Sequence, residues 1–377
     1  MLVSPRYGIG SLADVVPSVL ASLGMKGMTD RIGLDLDVDR VCLLLVDGMG
    51  AELLAANVDA APFLADRSPT VLTTGFPSTT ATSLTSLGTG VPPGEHGIVG
   101  YLLAVPGHDR LMNPLKWRLH GPGPKVDLLK AVAPEQFQST QTLLDQAATS
   151  GITVTKVAPM YQSESGLSRA ALRGGGFRAA FSMGDLVDGA LTALRDGDRS
   201  LVYAYHGELD LTGHVRGPDS LAWALELAQV DTMARAIAER LPPRSALVVT
   251  ADHGMVTVRE PVDFDTTPEL RDGVARLGGE PRARHVYTEH ADEVTVAWRE
   301  LLGPEYLVLT RPDAVEAGWF GPIVSADIAG RIGDVVCAAV GSGAVIRSGV
   351  EPLQSSLLGH HGSLTSAEMN VPLLVYT

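Results

Sequence analysis

Carboxylate and imidazole side chains lie beside several apolar runs of this sequence, where they could bind a metal ion. They are Asp47, Glu208, Asp210, His214, Asp252, His253, His360 and His361. A single Asp after a strand is more often a helix cap or a turn residue, and the i, i+4 pair Asp210 and His214 is equally consistent with a solvated helix face. A charged pair such as Asp252-His253, which ends a buried run, needs partners that a metal ion would supply. Taken together, these side chains predict a metal centre.

Hydroxyl residues in the segment 76–101 could supply a nucleophile or bind a phosphate group. Thr79 and Thr80 open a run of small residues that can begin a helix. A hydroxyl at a helix N-terminus lies beside free N–H groups and in a positive field, both of which would stabilise an alkoxide or a phosphate. The alternative is that Ser78, Thr79 or Thr80 only caps the helix, and this is the simpler interpretation if no metal centre is present.

The elements that must position these groups are short apolar runs separated by helix-like segments. The predicted strands are 41–47, 153–159, 200–206, 245–252 and 371–377, and the predicted helices include 12–23, 140–150 and 219–240. Continuous Val and Leu runs are typical of parallel strands that are covered on both faces. The sequence therefore predicts an α/β fold in which helices sandwich a mostly parallel central sheet. Functional groups in such sheets gather at the carboxyl ends of the strands.

A chain of 377 residues is long enough for more than one domain. Residues 101–135 contain many Pro and Gly residues and the single Trp117, and we expect an irregular surface excursion there. Residues 259–330 have a different, β-α-β-α rhythm. We therefore expect a catalytic core formed by 1–258 and 331–377, with 259–330 inserted as a small α/β cap. Arg282, Arg284 and His285 of the cap could reach an anionic substrate, although a solvated loop is the commoner role of such residues.

Composition excludes some classes of partner. The formal charge is −14, with 29 Lys and Arg against 43 Asp and Glu, so we expect neither nucleic-acid polymers nor anionic membrane surfaces to bind. Cys42 and Cys337 lie in apolar runs, which favours buried thiols in a reducing compartment over a disulfide. We see no secretory signal and no apolar run of the length that spans a bilayer, and therefore expect a cytoplasmic protein. The sequence is also compatible with a homodimer.

Five short motifs occur in the order typical of one enzyme superfamily. They are VDGMG (46–50), GTGVPPGEHGIVG (88–100), DLTGH (210–214), TADHGM (250–255) and GHHG (359–362). In their identity and order the sequence resembles the alkaline phosphatase superfamily, and most closely its nucleotide pyrophosphatase/phosphodiesterase branch. The resemblance covers roughly 40–101, 200–256 and 355–377.

The resemblance implies a metal-dependent hydrolase of phosphodiester or pyrophosphate bonds. It implies two divalent metal ions, for which the oxygen and imidazole ligands suit zinc, with manganese as the alternative. The ligands it implies are Asp47, Thr80, Asp252 and His253 for one ion, and Asp210, His214 and His361 for the other. In the family the nucleophilic Thr lies nine residues before the Thr of the TG turn, which is Thr89 here. The resemblance therefore implies that Thr80 is the nucleophile and forms a phosphothreonine intermediate. His361 is preferred to His360 because the family histidine directly precedes Gly, here Gly362.

Two departures from the family pattern keep other activities open. The family's phosphate-binding Asn, five residues after the His of the HGI motif, is Tyr101 here, whose hydroxyl could donate the same hydrogen bond. The Phe-Pro-Asn that follows the nucleophile in that branch is replaced by residues 81–83, Ala-Thr-Ser. The alternatives are a phosphomonoesterase or a phosphonate (C–P) hydrolase on the same site and, less favoured, a non-catalytic metal-binding protein. The C/S-x-P-x-R motif of the sulfatase branch is absent.

Overall fold

A computed structural model describes residues 1–377. The apolar runs form strands, because consecutive Val and Leu side chains can be buried on both faces of a covered sheet. The strands are β1 (Arg40–Val46), β2 (Thr70–Thr73), β3 (Met112–Asn113), β4 (Arg118–Leu119), β5 (Thr153–Ala158), β6 (Gly176–Ala179), β7 (Ser200–His206), β8 (Ser245–Thr250), β9 (Val256–Thr257), β10 (Glu260–Asp263), β11 (Arg276–Glu280), β12 (Ala283–Tyr287), β13 (Tyr306–Thr310), β14 (Val335–Ala339), β15 (Gly343–Ile346), β16 (Gly359–His360) and β17 (Asn370–Tyr376).

The helices between these strands are mostly short. They are α1 (Val15–Ser22), α2 (Ala51–Ala56), α3 (Pro62–Ala65), α4 (Thr80–Thr89), α5 (Pro93–His96), α6 (Pro134–Phe137), α7 (Leu143–Thr149), α8 (Gly166–Ala171), α9 (Met183–Ala193), α10 (Glu208–Arg216), α11 (Leu221–Ala238), α12 (Pro268–Arg271), α13 (Ala291–Leu302), α14 (Arg311–Glu316), α15 (Ala326–Ala329), α16 (Pro352–Ser355) and α17 (Ser366–Met369). Short 3₁₀ turns occupy Leu12–Asp14, Met160–Gln162 and Gly303–Glu305. The predicted helix 12–23 thus begins as a 3₁₀ turn, and Ser220 caps the predicted helix 219–240 by accepting from the backbone N–H of Trp223.

The central sheet has seven strands in the order β2-β17-β8-β1-β7-β5-β6. Strands β8, β1, β7, β5 and β6 are parallel, which confirms the predicted α/β fold with its mostly parallel sheet. The predicted strand 371–377 forms β17, but β17 runs antiparallel to both β8 and β2. Its direction differs because α17 leads straight into it, without a crossover that would return the chain to the opposite end of the sheet.

A second sheet, β11-β12-β14-β13, is antiparallel throughout and has its own core, which includes Trp298 and Val294 of α13. Because β14 belongs to this sheet, the unit extends beyond residue 330, where the sequence placed the end of the cap. The division of the chain into a core and a cap stays a prediction.

The segment 101–135 is only partly a surface excursion. Trp117 is fully buried, its indole N–H donates to the carbonyl of Val132, and its ring meets Phe137 edge to face. The ring occupies space that Gly166 leaves free, since a Cβ there would lie 2.3 Å from the Trp117 ring. Burial of a large aromatic side chain thus ties this irregular segment to the core.

Two further expectations concern the cysteines and the membrane. Cys42 and Cys337 are free and buried, as predicted. No helix combines the length and the apolar character needed to cross a bilayer.

Two buried ion pairs join the hairpin β11–β12 to the rest of the chain. Arg282 binds both carboxylate oxygens of Glu368, at 3.0 and 2.7 Å, and Arg284 lies 3.0 Å from an oxygen of Glu351. All four side chains are buried. Charges that are removed from water in this way depend on one another for solvation. Arg282 and Arg284 are therefore committed to structural pairs and do not extend toward a substrate.

The Arg282–Glu368 pair predicts a clear stability effect. Arg282→Ala leaves the Glu368 carboxylate buried without its partner, and should lower the free energy of unfolding by about 3–5 kcal/mol. Urea unfolding followed by circular dichroism measures this change. Arg244→Ala is the matched control, because Arg244 pairs with Asp37 and Asp39 on the exposed surface and its loss should barely move the transition. Equal effects of the two substitutions would contradict the prediction.

Candidate active site

Three adjacent strands bring the predicted metal ligands together. Asp47 follows β1, Asp252 and His253 follow β8, and α10, which carries Asp210 and His214, follows β7. These strands are neighbours in the sheet and parallel, so their carboxyl ends meet at one edge. His361 reaches the same edge from the segment between β16 and α17.

Asp210, His214 and His361 form one group of potential ligands. One ligand atom from each lies within 4.8 Å of those of the other two. The Nε2 atoms of His214 and His361 are 3.3 Å apart, and the Nε2 atom of His214 is 3.3 Å from Oδ2 of Asp210. Because α10 is helical, the i, i+4 spacing places Asp210 and His214 on the same face, as the sequence predicted.

Asp47, Asp210 and His253 form a second group with the same 4.8 Å limit. The Nε2 atom of His253 lies 3.4 Å from Oδ1 of Asp47 and 3.4 Å from Oδ2 of Asp252. Asp210 therefore borders both groups, whereas the sequence assigned it to one ion only. This sharing brings the two groups next to each other.

Hydrogen bonds on the far side of each histidine ring orient it toward the centre. The Nδ1 atoms of three histidines contact backbone carbonyl oxygens: His214 that of Gly359 at 2.7 Å, His361 that of Ser78 at 2.8 Å, and His253 that of Gly254 at 3.0 Å. A histidine that donates from Nδ1 leaves a lone pair on Nε2 for a metal ion. His360 differs, since its Nε2 atom lies 3.2 Å from the carbonyl oxygen of Leu357.

The carboxylates are held in a similar way. The hydroxyl of Tyr205 donates to Oδ2 of Asp47 at 2.5 Å. Oδ1 of Asp252 accepts from the backbone N–H groups of Gly48 and His253, at 3.1 and 3.0 Å. Sequence reasoning did not single out Tyr205, which is one of two tyrosines in the fully buried strand β7.

The donor set fits a divalent cation. Oδ1 of Asp210 and Oδ2 of Asp252 are buried and have no hydrogen-bond partner. Burial, and then the charges of Asp252 and Asp210, raise the pKa of Asp47 well above its usual range. Burial, and then the neighbouring His253 and His214, lower the pKa of His361 well below its usual range. Crowded carboxylates and neutral imidazoles are the arrangement that a bound cation stabilises.

Thr80 lies at the centre of this arrangement. It is the first residue of the ten-residue helix α4, and its Oγ1 atom is 3.1 Å from Nε2 of His253 and 3.5 Å from Oδ1 of Asp47. The N-cap position belongs to Thr79, whose side chain makes no capping hydrogen bond. The hydroxyl of Thr80 is therefore not used to cap the helix, and it lies where the helix dipole favours negative charge.

Two openings flank Thr80. The large cleft, of about 430 Å³, is lined by Tyr161, Leu115, Leu211 and Glu208 among others, and continues to Asp47 and Thr80. The small cavity, of about 230 Å³, is lined by Thr79, Thr80, Tyr101, His214, Glu280 and His361 among others. Neither lining contains a lysine or an arginine. Tyr161, which is 72% exposed, was not assigned a role from the sequence.

Tyr101 lines the small cavity, where it contacts Glu280 and Asn113. Its backbone N–H donates to Oε2 of Glu280 at 3.0 Å, and its hydroxyl lies beside the side chain of Asn113. Burial raises the pKa of Tyr101 to about 12, so its hydroxyl keeps its proton. A contact between Tyr101 and a phosphate group stays a prediction. His285 is buried, with its Nδ1 atom accepting from the backbone N–H of Gly333, and does not line either opening.

Residues 41–364 match the sequence model of the family described as type I phosphodiesterase/nucleotide pyrophosphatase. The chain belongs to this family. It is therefore a phosphoric ester hydrolase, and its family is metal-dependent. The family resemblance inferred from the five motifs is confirmed. No curated protein matches the chain.

Solved structures share the fold at low sequence identity. Murine ectonucleotide pyrophosphatase/phosphodiesterase 5 is 18% identical, with a TM-score of 0.67 over 89% of this chain and 88% of its own. Its human counterpart is 17% identical, with a TM-score of 0.66 over 89% and 87%. Phosphonoacetate hydrolase from Sinorhizobium meliloti 1021, in complex with phosphonoformate, is 18% identical, with a TM-score of 0.65 over 90% and 89%. At this identity the likeness concerns the fold alone.

The two adjacent histidines allow a matched test of the ligand groups. His361→Gln should remove metal from one group, whereas Asp210→Asn should remove it from both, because Asp210 borders both. His360→Gln should leave the metal content unchanged, since its Nε2 atom faces a backbone carbonyl. Metal per protein after dialysis, measured by inductively coupled plasma mass spectrometry, gives the result. Equal losses for His360→Gln and His361→Gln would show that the groups are wrongly assigned.

Proposed function

We propose that this protein hydrolyses phosphodiester or pyrophosphate bonds, with Thr80 as the nucleophile at a two-metal centre. The observation that carries the proposal is the position of the Thr80 hydroxyl, at the start of α4 and within 3.5 Å of Asp47 and His253. A hydroxyl in a positive field, next to a cluster of ligand groups, can lose its proton and attack phosphorus.

The residues that would hold the ions are Asp47, Thr80, Asp252 and His253 for one ion, and Asp210, His214 and His361 for the other. Asp210 also lies within reach of the first ion, since its carboxylate belongs to both groups of potential ligands. Oxygen and imidazole donors suit zinc, with manganese as the alternative. When bound, a pair of such ions stabilises negative charge on the nucleophile and on the phosphoryl oxygens.

The chain's own groups define the order of bond changes. Thr80 Oγ1 gives its proton to solvent and forms a bond to phosphorus, while the bond from phosphorus to the leaving oxygen breaks and that oxygen departs with the electron pair. Water then attacks the phosphothreonine, the bond between Oγ1 and phosphorus breaks, and Thr80 regains a proton. During both steps Tyr205 holds Asp47 in place, and the N-terminus of α4 stabilises negative charge near Oγ1.

The side chains around Thr80 are acidic and supply no cation of their own. The openings are lined by Asp47, Glu208, Asp210 and Glu280 and by no lysine or arginine. A diester carries one negative charge at neutral pH, whereas a phosphomonoester carries close to two. The cations that meet either charge would have to be the bound metal ions, because Arg282 and Arg284 are held in buried pairs. The phosphomonoesterase and C–P hydrolase alternatives would use the same centre and are also compatible with the family and with its fold relatives.

The large cleft is suited to the organic part of a small substrate. Its lining includes apolar side chains such as Leu115 and Leu211 and the exposed ring of Tyr161. A cleft of about 430 Å³ lies within the range of small-molecule sites. The murine phosphodiesterase 5, as an inactive threonine-to-alanine variant, is described in complex with AMP, which is a ligand of comparable size. A small phosphate ester, rather than a nucleic-acid polymer, also agrees with the formal charge of −14.

Paired substrates test this proposal. Metal-loaded protein should hydrolyse bis-p-nitrophenyl phosphate in preference to p-nitrophenyl phosphate, and chelation should abolish both activities. Thr80→Ala should lower kcat about 10³-fold or more, because it removes the nucleophile. Thr80→Ser, which keeps a hydroxyl at this position, is the matched control and should retain measurable turnover. Release of p-nitrophenolate measures each rate.

Two outcomes would contradict the proposal. If Thr80→Ala turned over at the wild-type rate with its metal bound, Thr80 would not be the nucleophile. If the monoester were preferred, the site would be that of a phosphatase.

A further inference from the structure

Glu280 is a buried carboxyl group at the small cavity that the proposed reaction does not use. It ends β11, where the hairpin turns into β12, and is 4% exposed. Its Oε2 atom accepts from the backbone N–H of Tyr101 at 3.0 Å, while its Oε1 atom is buried without a hydrogen-bond partner. A buried polar atom that has no partner is costly unless a ligand completes it.

The chain makes room for this carboxyl next to the ligand His361. Gly362 has no side chain, and a Cβ there would lie 2.5 Å from Cγ of Glu280 and 3.1 Å from its Oε1 atom. Gly279 has a φ of +70° and lets the two strands of the hairpin lie close together. A Cβ on Gly279 would lie 2.0 Å from the carbonyl oxygen of Ala283. Two glycines and the Tyr101 N–H thus hold Glu280 at the wall of the cavity.

The size and lining of the small cavity indicate what Glu280 meets there. The cavity is bordered by Thr80 and by the ligands His214 and His361, so the phosphorus under attack and its oxygens must lie nearby. At about 230 Å³ it is below the usual size of a site for a whole organic ligand. It can hold a phosphoryl group, while the large cleft, which shares Thr80, Leu115 and Asp210 with it, takes the organic substituent.

We propose that the Glu280 carboxyl group donates a hydrogen bond to a non-bridging oxygen of the substrate's phosphoryl group. This inference rests on the proposed function, since it deepens the description of the same site. It also separates two roles that the sequence combined in Tyr101. The backbone of Tyr101 positions Glu280, and Glu280 contacts the phosphoryl group.

The electrostatic surroundings support a neutral, donating carboxyl. Burial raises the pKa of Glu280 to about 8, against the opposing effects of the Tyr101 N–H group and Arg284. The charged groups beside it are Arg284 of β12, which is paired with Glu351, and Glu368 of α17, which is paired with Arg282. The other titratable groups of the small cavity are Tyr101, Asp210, His214, His360 and His361. A protonated carboxyl can donate toward a phosphoryl oxygen, whereas an ionised one would repel it.

Three variants of acidic residues test the inference on bis-p-nitrophenyl phosphate. Glu280→Ala should lower kcat/KM about 10²-fold, as expected for the loss of one donor to a developing oxyanion. Glu280→Gln keeps an N–H donor in the same place and should retain most of the activity. Glu305→Gln alters an exposed carboxyl of the same antiparallel unit and is the matched control, which should behave as wild type. Metal content is measured for each variant and should not change.

Two further measurements separate contact from structural support. Orthovanadate, a phosphoryl transition-state analogue, should inhibit Glu280→Ala more weakly than wild type and Glu280→Gln about equally well. For wild type, kcat/KM should fall as the pH rises through the pKa of Glu280, because the donating proton is lost. Glu280→Gln should lack this fall, since its amide does not titrate.

Several results would overturn the inference. If Glu280→Gln, with full metal content, were as impaired as Glu280→Ala, Glu280 would act as an anion. If Glu280→Ala matched wild type, no contact would exist. The Thr79 hydroxyl lies close to Glu280, since its hydrogen bond lowers the pKa of that carboxyl. If Glu280→Ala no longer lowered kcat/KM in a Thr79→Ala background, Glu280 would act through Thr79. Should Glu280→Ala fail to fold, Glu280→Gln and its pH profile still decide. Activity of Thr80→Ala would instead refute the proposed function itself.

Discussion

The crowding of carboxylates at one edge of the sheet is the constraint on which the rest of this structure depends. Asp47, Asp210 and Asp252 converge there, two of them with a buried oxygen that no donor reaches. Removing such charges from water is costly, and each raises the cost of ionising the next. Bound cations would reverse this balance, since they require ionised carboxylates and neutral imidazoles. The features that would weaken the fold without metal thus prepare it to bind metal.

The surrounding structure keeps these groups from relaxing apart. The in-register pairing of β1 with β7 and β8 places Asp47 between the segments that carry the other ligands. Backbone carbonyls orient three histidine rings, and Tyr205 fixes one oxygen of Asp47. The helix α4 places the hydroxyl of Thr80 beside these carboxylates, in the positive field of the helix N-terminus. The geometry of the candidate site thus follows mainly from sheet pairing and from the position of Thr80 at the start of α4.

The residues of the site that could be predicted from sequence are those whose positions depend on a single strand end or a single helical turn. Asp47 and Asp252-His253 end apolar runs, and Asp210 and His214 share one helical turn, so each was visible in a few consecutive residues. The family motifs then selected Thr80 from three neighbouring hydroxyl residues. What could not be predicted depends on distant pairing. The reversed direction of β17 and the burial of Trp117 are set by tertiary packing, and the neighbours of Glu280, Gly362 and Tyr101, are remote from it in sequence.

The hairpin β11–β12 shows what residue type alone could not predict. Its arginines were compatible with contact to an anion or, more commonly, with a solvated loop, yet Arg282 and Arg284 are buried against Glu368 and Glu351. The arginines join the hairpin to the remainder of the chain, and that attachment is what carries a carboxyl to the phosphoryl side of the site. A cation on a mobile loop would bind many anions, because charge attracts at a distance and without direction. A buried carboxyl held by a backbone N–H acts only at hydrogen-bond range and at one angle, so its contribution depends on where the phosphoryl oxygen lies. Specificity of this kind comes from the rigid attachment of the hairpin rather than from its net charge.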